Sequence, residues 1–334
     1  MLTKLCLSVV AFCLMAPWTA PARTLVYVPP GCADPRADAS DGALLRCFAP
    51  ALQAPDAERS WNRIGTPVIS RGALGGLHVA VDPDRPALFG EVRTELVADR
   101  VVLQLVYRVH FQKIPLRATQ LFYEAHDNAG LLAVVTLDAA TLVPLFVTTV
   151  HTCGCYRAVQ PTRAFPDARL PPDWPAELSV YGQRLPARLD PPGPQERLLL
   201  RLQADDHRIR DSRFAAALPE GERVELPLLP MDALRHAPVS GSAEGERASV
   251  FYTAGPLRGH LRSAWNPLEG LTVFGWVALD PTVGMDKDFG DPRATGTPFY
   301  TEIAFYHQDA SRLDRFDRML RAMGFRAGSP SDPN

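Results

Sequence analysis

The residues of this chain with the clearest capacity for chemistry are one imidazole and two thiols, His151, Cys153 and Cys155. They follow the run VPLFVTTV, whose branched and aromatic side chains predict a β-strand. Side chains alternate between the faces of an extended strand, so all three are expected on one face, at the strand end. Thiolate and imidazole groups are preferred ligands of Zn(II) and copper. The pattern therefore predicts a site for a soft metal ion, Zn or Cu.

The three groups converge on one ion only if the strand bends. Extended residues two apart have Cα atoms about 6.5 to 7 Å from each other. Gly154, between the cysteines, makes such a bend easy because it has no Cβ. A fourth ligand would come from another part of the chain, and His207, His110, His260 and Met231 are the candidates. We assign His207 to the predicted metal site.

The two neighbouring cysteines allow two alternative hypotheses. A Cys153–Cys155 bridge would lie near the upper limit of about 6.8 Å between Cα atoms, so it would be strained and easily reduced, as in a thiol-redox enzyme. The Cys-x-x-Cys motif at a helix start, typical of thioredoxin-like enzymes, does not occur at these cysteines. In the other alternative, both pair with Cys32 and Cys47 and stabilise a non-catalytic binding or structural module of the cell envelope.

The first residues have the pattern of a cleaved signal peptide. Lys4 precedes an apolar run from Leu5 to Met15, and Ala20-Pro21-Ala22 resembles a signal peptidase site. We predict a signal peptide at 1–22, cleaved after Ala22. The apolar run is too short to cross a bilayer, so the mature chain is expected to be soluble, without a transmembrane segment, and periplasmic or secreted.

Cleavage would leave four cysteines in an oxidising compartment, where disulfides are favoured. Four cysteines allow three connectivities. We favour a Cys32–Cys47 disulfide, whose closure of a short loop is expected to stabilise the fold by about 3 kcal/mol.

Strand patterns dominate the middle of the chain, and helical patterns lie mainly toward its ends. Helices are predicted near 40–50, 54–63 and 257–265, and an amphipathic helix is predicted to end at Gly324. The predicted fold class is α+β, with a mostly antiparallel β-sheet core, flanking helices and an amphipathic C-terminal helix.

The predicted organisation after the signal peptide has three parts. An N-terminal β-rich domain, 23–190, carries the His-x-Cys-x-Cys strand end. A C-terminal α+β subdomain, 191–327, packs on it, and a disordered tail follows at 328–334.

In the run RVVLQLVYRVHF, apolar side chains alternate with Gln104, Arg108 and His110, which predicts a strand with one face in water. Asp280, Asp286, Asp288 and Asp291 lack the spacing of an EF-hand, and a solvated acidic turn is expected there.

The net charge of −2, with signs mixed along the chain, gives no basic patch for nucleic acid or anionic lipid. No Gly-x-Ser-x-Gly, His-Glu-x-x-His or Walker motif occurs, which disfavours the corresponding hydrolases and NTPases. The sequence specifies neither a substrate nor a protein partner.

Overall fold

A computed structural model of the protein describes residues 22–32, 37–38, 40–97, 100–116, 125–242, 245–264, 285–291 and 315–326. The predicted signal peptide, apart from Ala22, and the predicted tail at 328–334 lie outside these residues. No helix among them is long and apolar enough to cross a membrane.

The described residues form seventeen strands and two α-helices. The strands are β1 (Leu25–Val28), β2 (Ala51–Ala54), β3 (Thr66–Arg71), β4 (Leu77–Asp82), β5 (Leu88–Val97), β6 (Arg100–Lys113), β7 (Asp127–Asp138), β8 (Pro144–His151), β9 (Ala158–Pro161), β10 (Glu177–Val180), β11 (Gln183–Pro186), β12 (Arg197–Leu202), β13 (Ile209–Ala215), β14 (Glu222–Glu225), β15 (Leu228–Pro230), β16 (Ala237–Ser240) and β17 (Arg247–Ala248). The helices are α1 (Asp41–Phe48) and α2 (Phe316–Ala322), and three short 3-10 helices lie at Ser60–Asn62, Asp167–Arg169 and Met231–Leu234.

The predicted α+β class with flanking helices is wrong, because the protein is mostly β-sheet. The segment 54–63, predicted helical, begins at the end of strand β2 and contains only a single 3-10 turn. Asp56 there has a positive φ of 51°, which an α-helix does not accommodate. Near 257–264, Gly255 and Gly259 have φ of 77° and 79°, and the chain forms turns instead of a helix.

The centre of the fold is a six-stranded sheet with the order β15-β5-β6-β7-β8-β9. Strands β5 to β9 are joined as successive antiparallel neighbours, and β15 pairs with β5 in parallel. Strand β7 is buried along almost all its length on both faces, as the apolar sequence of Gly130 to Asp138 predicts.

Both faces of this sheet are covered by other layers. On one face, Leu105, Tyr107 and Val109 pack with the five-stranded sheet β13-β12-β2-β1-β14; we call this the first core. On the other, Val106 and Leu132 pack with the four-stranded sheet β17-β16-β3-β4 and helix α2; we call this the second core. The prediction that β6 has one face in water is therefore wrong.

The five-stranded sheet contains strands from both sides of residue 190. Strand β2 pairs in parallel with β12, and β1 pairs in parallel with β14. Backbone hydrogen bonds thus join the parts predicted as 23–190 and 191–327. The division of the chain into these two parts remains a prediction.

Two local predictions at the ends of the chain are confirmed. Helix α2 buries Phe316, Met319 and Leu320 and ends just before Gly324, whose φ is 85°. Cys32 and Cys47 form a disulfide, with Cα atoms 4.8 Å apart, that connects the segment after β1 to helix α1.

Replacing both Cys32 and Cys47 by Ser is expected to lower the free energy of unfolding by about 3 kcal/mol, because the unfolded chain regains the entropy of an open loop. Urea unfolding measures the change. Dithiothreitol should lower the urea midpoint of the wild type to that of the variant. It should leave the midpoint of the variant unchanged. An unchanged wild-type midpoint would contradict a stabilising role for the disulfide.

Candidate functional site

The His-x-Cys-x-Cys residues lie in a tight hairpin turn and not along one extended strand. Strand β8 ends at His151. The amide of Gly154 donates to the His151 carbonyl at 2.7 Å, and the amide of His151 donates to the Cys155 carbonyl at 2.9 Å. With Gly154 at a φ of 95°, this is a three-residue hairpin loop closed by a left-handed glycine.

The turn changes the relation between the three predicted ligands. The expectation that they share one face of a continuing strand is wrong, because the chain reverses after His151. Cys155 instead lies opposite His151, across the hairpin. The bend that the three side chains would need in order to converge is present. It lies at Gly154, the glycine that the sequence indicates.

Neither Cys153 nor Cys155 forms a disulfide among the described residues. Cys153 is 4% exposed and Cys155 is partly exposed. The Sγ of Cys153 accepts a hydrogen bond from the Cys155 amide at 3.3 Å. The alternative in which these cysteines pair with Cys32 and Cys47 is wrong, since the latter two are bonded to each other.

His151 is a buried, neutral imidazole on the face of the first core. Burial lowers its pKa to about 4, against a smaller opposing effect of a hydrogen bond with the His207 backbone. Its Nε2 has no hydrogen-bond partner within the described residues. The nitrogen that donates to the His207 carbonyl is therefore Nδ1, which leaves a lone pair on Nε2.

His207 adjoins His151, but its own ring is engaged elsewhere. The ring stacks on Phe111, with centroids 3.9 Å apart and an interplanar angle of 5°. Its Nε2 lies 2.8 Å from the Trp61 carbonyl, so Nε2 carries the hydrogen. Burial, then the neighbouring His151, lower the pKa of His207 to about 3.

The other candidates for a fourth ligand are associated with the second core. His110 extends toward the second core, beside Phe89, and Met231 packs within that core. His260 forms a β-bridge with Lys287, whose side chain contacts the turn from the second-core side. Among the described ranges, no group of three or more His, Cys, Asp or Glu side chains is arranged to hold a metal ion.

A second group of polar residues is buried on the second-core face of the central sheet. Arg108 is 2% exposed, and its Nε donates to His110 Nε2 at 2.9 Å. The Asp286 carboxylate, 1% exposed, lies 3.9 Å from Arg108 Nη2 and 3.6 Å from His126 Nε2. Burial and then the Arg108 charge hold the pKa of His110 well below its usual value.

The sequence interpretation missed this group. It placed Arg108 and His110 in water and Asp286 in a solvated turn, and both expectations are wrong. The available signal was the alternation of polar residues along β6, but whether the polar face of a strand is solvated depends on the layer that covers it.

Comparison of the chain with protein-family models, with curated proteins and with solved structures finds no match.

The buried histidines are expected to make the protein acid-sensitive. Because the folded-state pKa values of His151 and His207, about 4 and about 3, lie below the usual 6.5, the unfolded chain binds more protons as the pH falls below 6.5. Stability should fall by about 2 kcal/mol per buried histidine between about pH 6.5 and pH 5. Urea unfolding of metal-free protein across this range measures the slope of the free energy of unfolding against pH.

The variant His207→Gln should reduce that slope, since glutamine can still donate to the Trp61 carbonyl but does not titrate. His236→Gln, at an exposed histidine, is the matched control. A wild-type stability that is independent of pH between 6.5 and 5 would contradict the prediction.

Proposed function

We propose that this chain is an exported β-protein that binds a soft metal ion, Cu(I) or Zn(II), at the hairpin turn of residues 151–155. Cys153 and Cys155 supply thiolate ligands and His151 supplies its Nε2. Binding requires a movement of the turn that brings the three together, because they are not arranged around an ion in the described conformation. The observation that carries the proposal is the turn itself, which places Cys155 opposite a neutral imidazole.

The chemistry of these groups suits a thiophilic ion. Thiolates are soft ligands, and a pair of them favours Cu(I) in particular. Imidazole binds a metal only in its neutral form, and burial keeps His151 neutral at physiological pH. The ion would displace the thiol protons, so affinity would increase with pH.

We assign His207 a supporting role. A metal-binding histidine commonly donates its second ring N–H to a carbonyl, which fixes the tautomer and the ring orientation. The His207 carbonyl is in that position relative to His151. The His207 ring, bonded to the Trp61 carbonyl and stacked on Phe111, holds the carbonyl in place.

The proposed location outside the cytoplasm has two supports. The first 22 residues have the order of a signal peptide. The Cys32–Cys47 disulfide is typical of proteins that fold in an oxidising compartment.

Metal binding is tested by anaerobic titration of Cu(I) and Zn(II) in competition with a chromophoric chelator. Wild type should compete for Cu(I), Cys153→Ser/Cys155→Ser should not, and His151→Gln should bind about tenfold more weakly because one ligand is lost. Cys32→Ser/Cys47→Ser is the matched control and should retain binding.

Equal and negligible metal in wild type and in Cys153→Ser/Cys155→Ser would overturn the proposal. If that result came with reversible oxidation of the two thiols in a glutathione titration, the thiol-redox alternative would replace it.

Export is tested by producing the full chain in a bacterium with a periplasm. The mature protein should be recovered from the periplasm or medium with Arg23 as its first residue. Leu7→Arg, which places a charge in the apolar run, should retain the protein inside the cell. Recovery of an uncleaved wild-type chain from the cytoplasm would contradict the prediction.

A further inference from the structure

The hairpin turn of residues 151–155, which we call the thiol turn, is held from its second-core side by the segment 285–291. The Lys287 amide donates to the Thr152 carbonyl at 3.0 Å. The neighbouring Asp286 carbonyl accepts from the Leu261 amide at 2.7 Å. The segment therefore bridges the turn and the chain near residue 261.

The side chain of Lys287 adds a direct bond to the turn. It is 0% exposed, and its Nζ donates to the Cys153 carbonyl at 2.9 Å and to the Met285 carbonyl at 3.0 Å. An ammonium donor makes stronger hydrogen bonds than a neutral one, particularly in a buried environment. Two successive carbonyls of the turn, those of Thr152 and Cys153, are thus bonded to one residue.

Lys287 is in turn anchored to the central sheet. Arg108, on strand β6, donates from Nη1 to the Lys287 carbonyl at 2.5 Å. The same guanidinium lies 3.9 Å from the Asp286 carboxylate, and Arg93 donates to the Phe289 carbonyl at 3.2 Å. These bonds connect the turn through Lys287 to a rigid strand.

Close packing limits rearrangement at this point. A Cβ added to Gly130 of β7 would lie 2.5 Å from Thr152 Oγ1 and 3.0 Å from Asp286 Oδ2. Strand β7, the turn and the segment 285–291 therefore meet without space for another methyl group. Separation of the turn from the segment would break the bonds of Lys287 to the Thr152 and Cys153 carbonyls.

We propose that Lys287 is the positioning residue of the thiol turn and that its ammonium holds Cys153 in the closed conformation, controlling access to the buried thiol. The consequence for metal binding rests on the proposed function, whereas control of thiol access does not.

The test is the rate at which iodoacetamide alkylates Cys153 in a Cys155→Ser background. Cys32 and Cys47 are bonded to each other in the mature chain, so Cys153 is the cysteine that reacts. Lys287→Met keeps the length of the side chain and removes its donors. The rate should increase by about tenfold or more, since a charged hydrogen bond no longer opposes local opening. Lys287→Gln, which retains an N–H donor, should react more slowly than Lys287→Met.

Phe289→Leu is the matched control, because it weakens the packing of the same segment and leaves the ammonium in place. Its alkylation rate should remain within about twofold of that of the Cys155→Ser parent, when urea is used to match the free energies of unfolding. Equal rates in Lys287→Met and Phe289→Leu at matched stability would overturn the proposal.

A Cu(I) titration of Lys287→Met with both cysteines present then separates the two proposals. Faster Cu(I) uptake than in wild type supports both, because loss of the ammonium gives the ion access to Cys153, whereas unchanged uptake would overturn control of metal access by Lys287. Absence of binding in wild type itself would remove the metal function, while the alkylation rates would still decide the role of Lys287.

Discussion

The structure depends on the coverage of its central sheet on both faces. A sheet with one face in water can leave polar side chains to the solvent, but here the polar side chains in the middle of β6, β7 and β8 are enclosed by a second layer. Enclosed polar groups need internal partners, since an unsatisfied one costs about 1 to 3 kcal/mol. The polar groups around His151 and around Arg108, one on each face of the central sheet, are subject to that requirement.

On the first-core face, the imidazoles are kept neutral, which lowers the cost of burying them. His151 and His207 are buried, and desolvation is the largest contribution to their low pKa values. The backbone carbonyls beside each ring accept its N–H and fix its tautomer. The chemistry proposed for the turn follows from this arrangement, because a neutral and oriented imidazole can act as a ligand without first losing a proton.

On the second-core face, Arg108 places a buried guanidinium at the centre of the polar group. It contacts His110 on its own strand and the backbone of Lys287, and it lies near the Asp286 carboxylate. Burying such charges is costly, and it is tolerated when the groups share hydrogen bonds. The result is a polar connection from a core strand to the thiol turn, which passes through Lys287 and reaches the Cys153 carbonyl.

The sequence by itself determined the features that depend on neighbouring residues. The apolar strand β7, the end of helix α2 at Gly324, the short-loop disulfide and the position of the bend at Gly154 were all predictable, because propensity, glycine geometry and loop length act locally. Tertiary structure alone decided that Arg108, His110 and Asp286 are buried, that His207 lies beside His151, and that Lys287 holds the turn. The physical reason is that burial and long-range pairing depend on which layer covers a strand, and alternation along one strand carries no information about that layer.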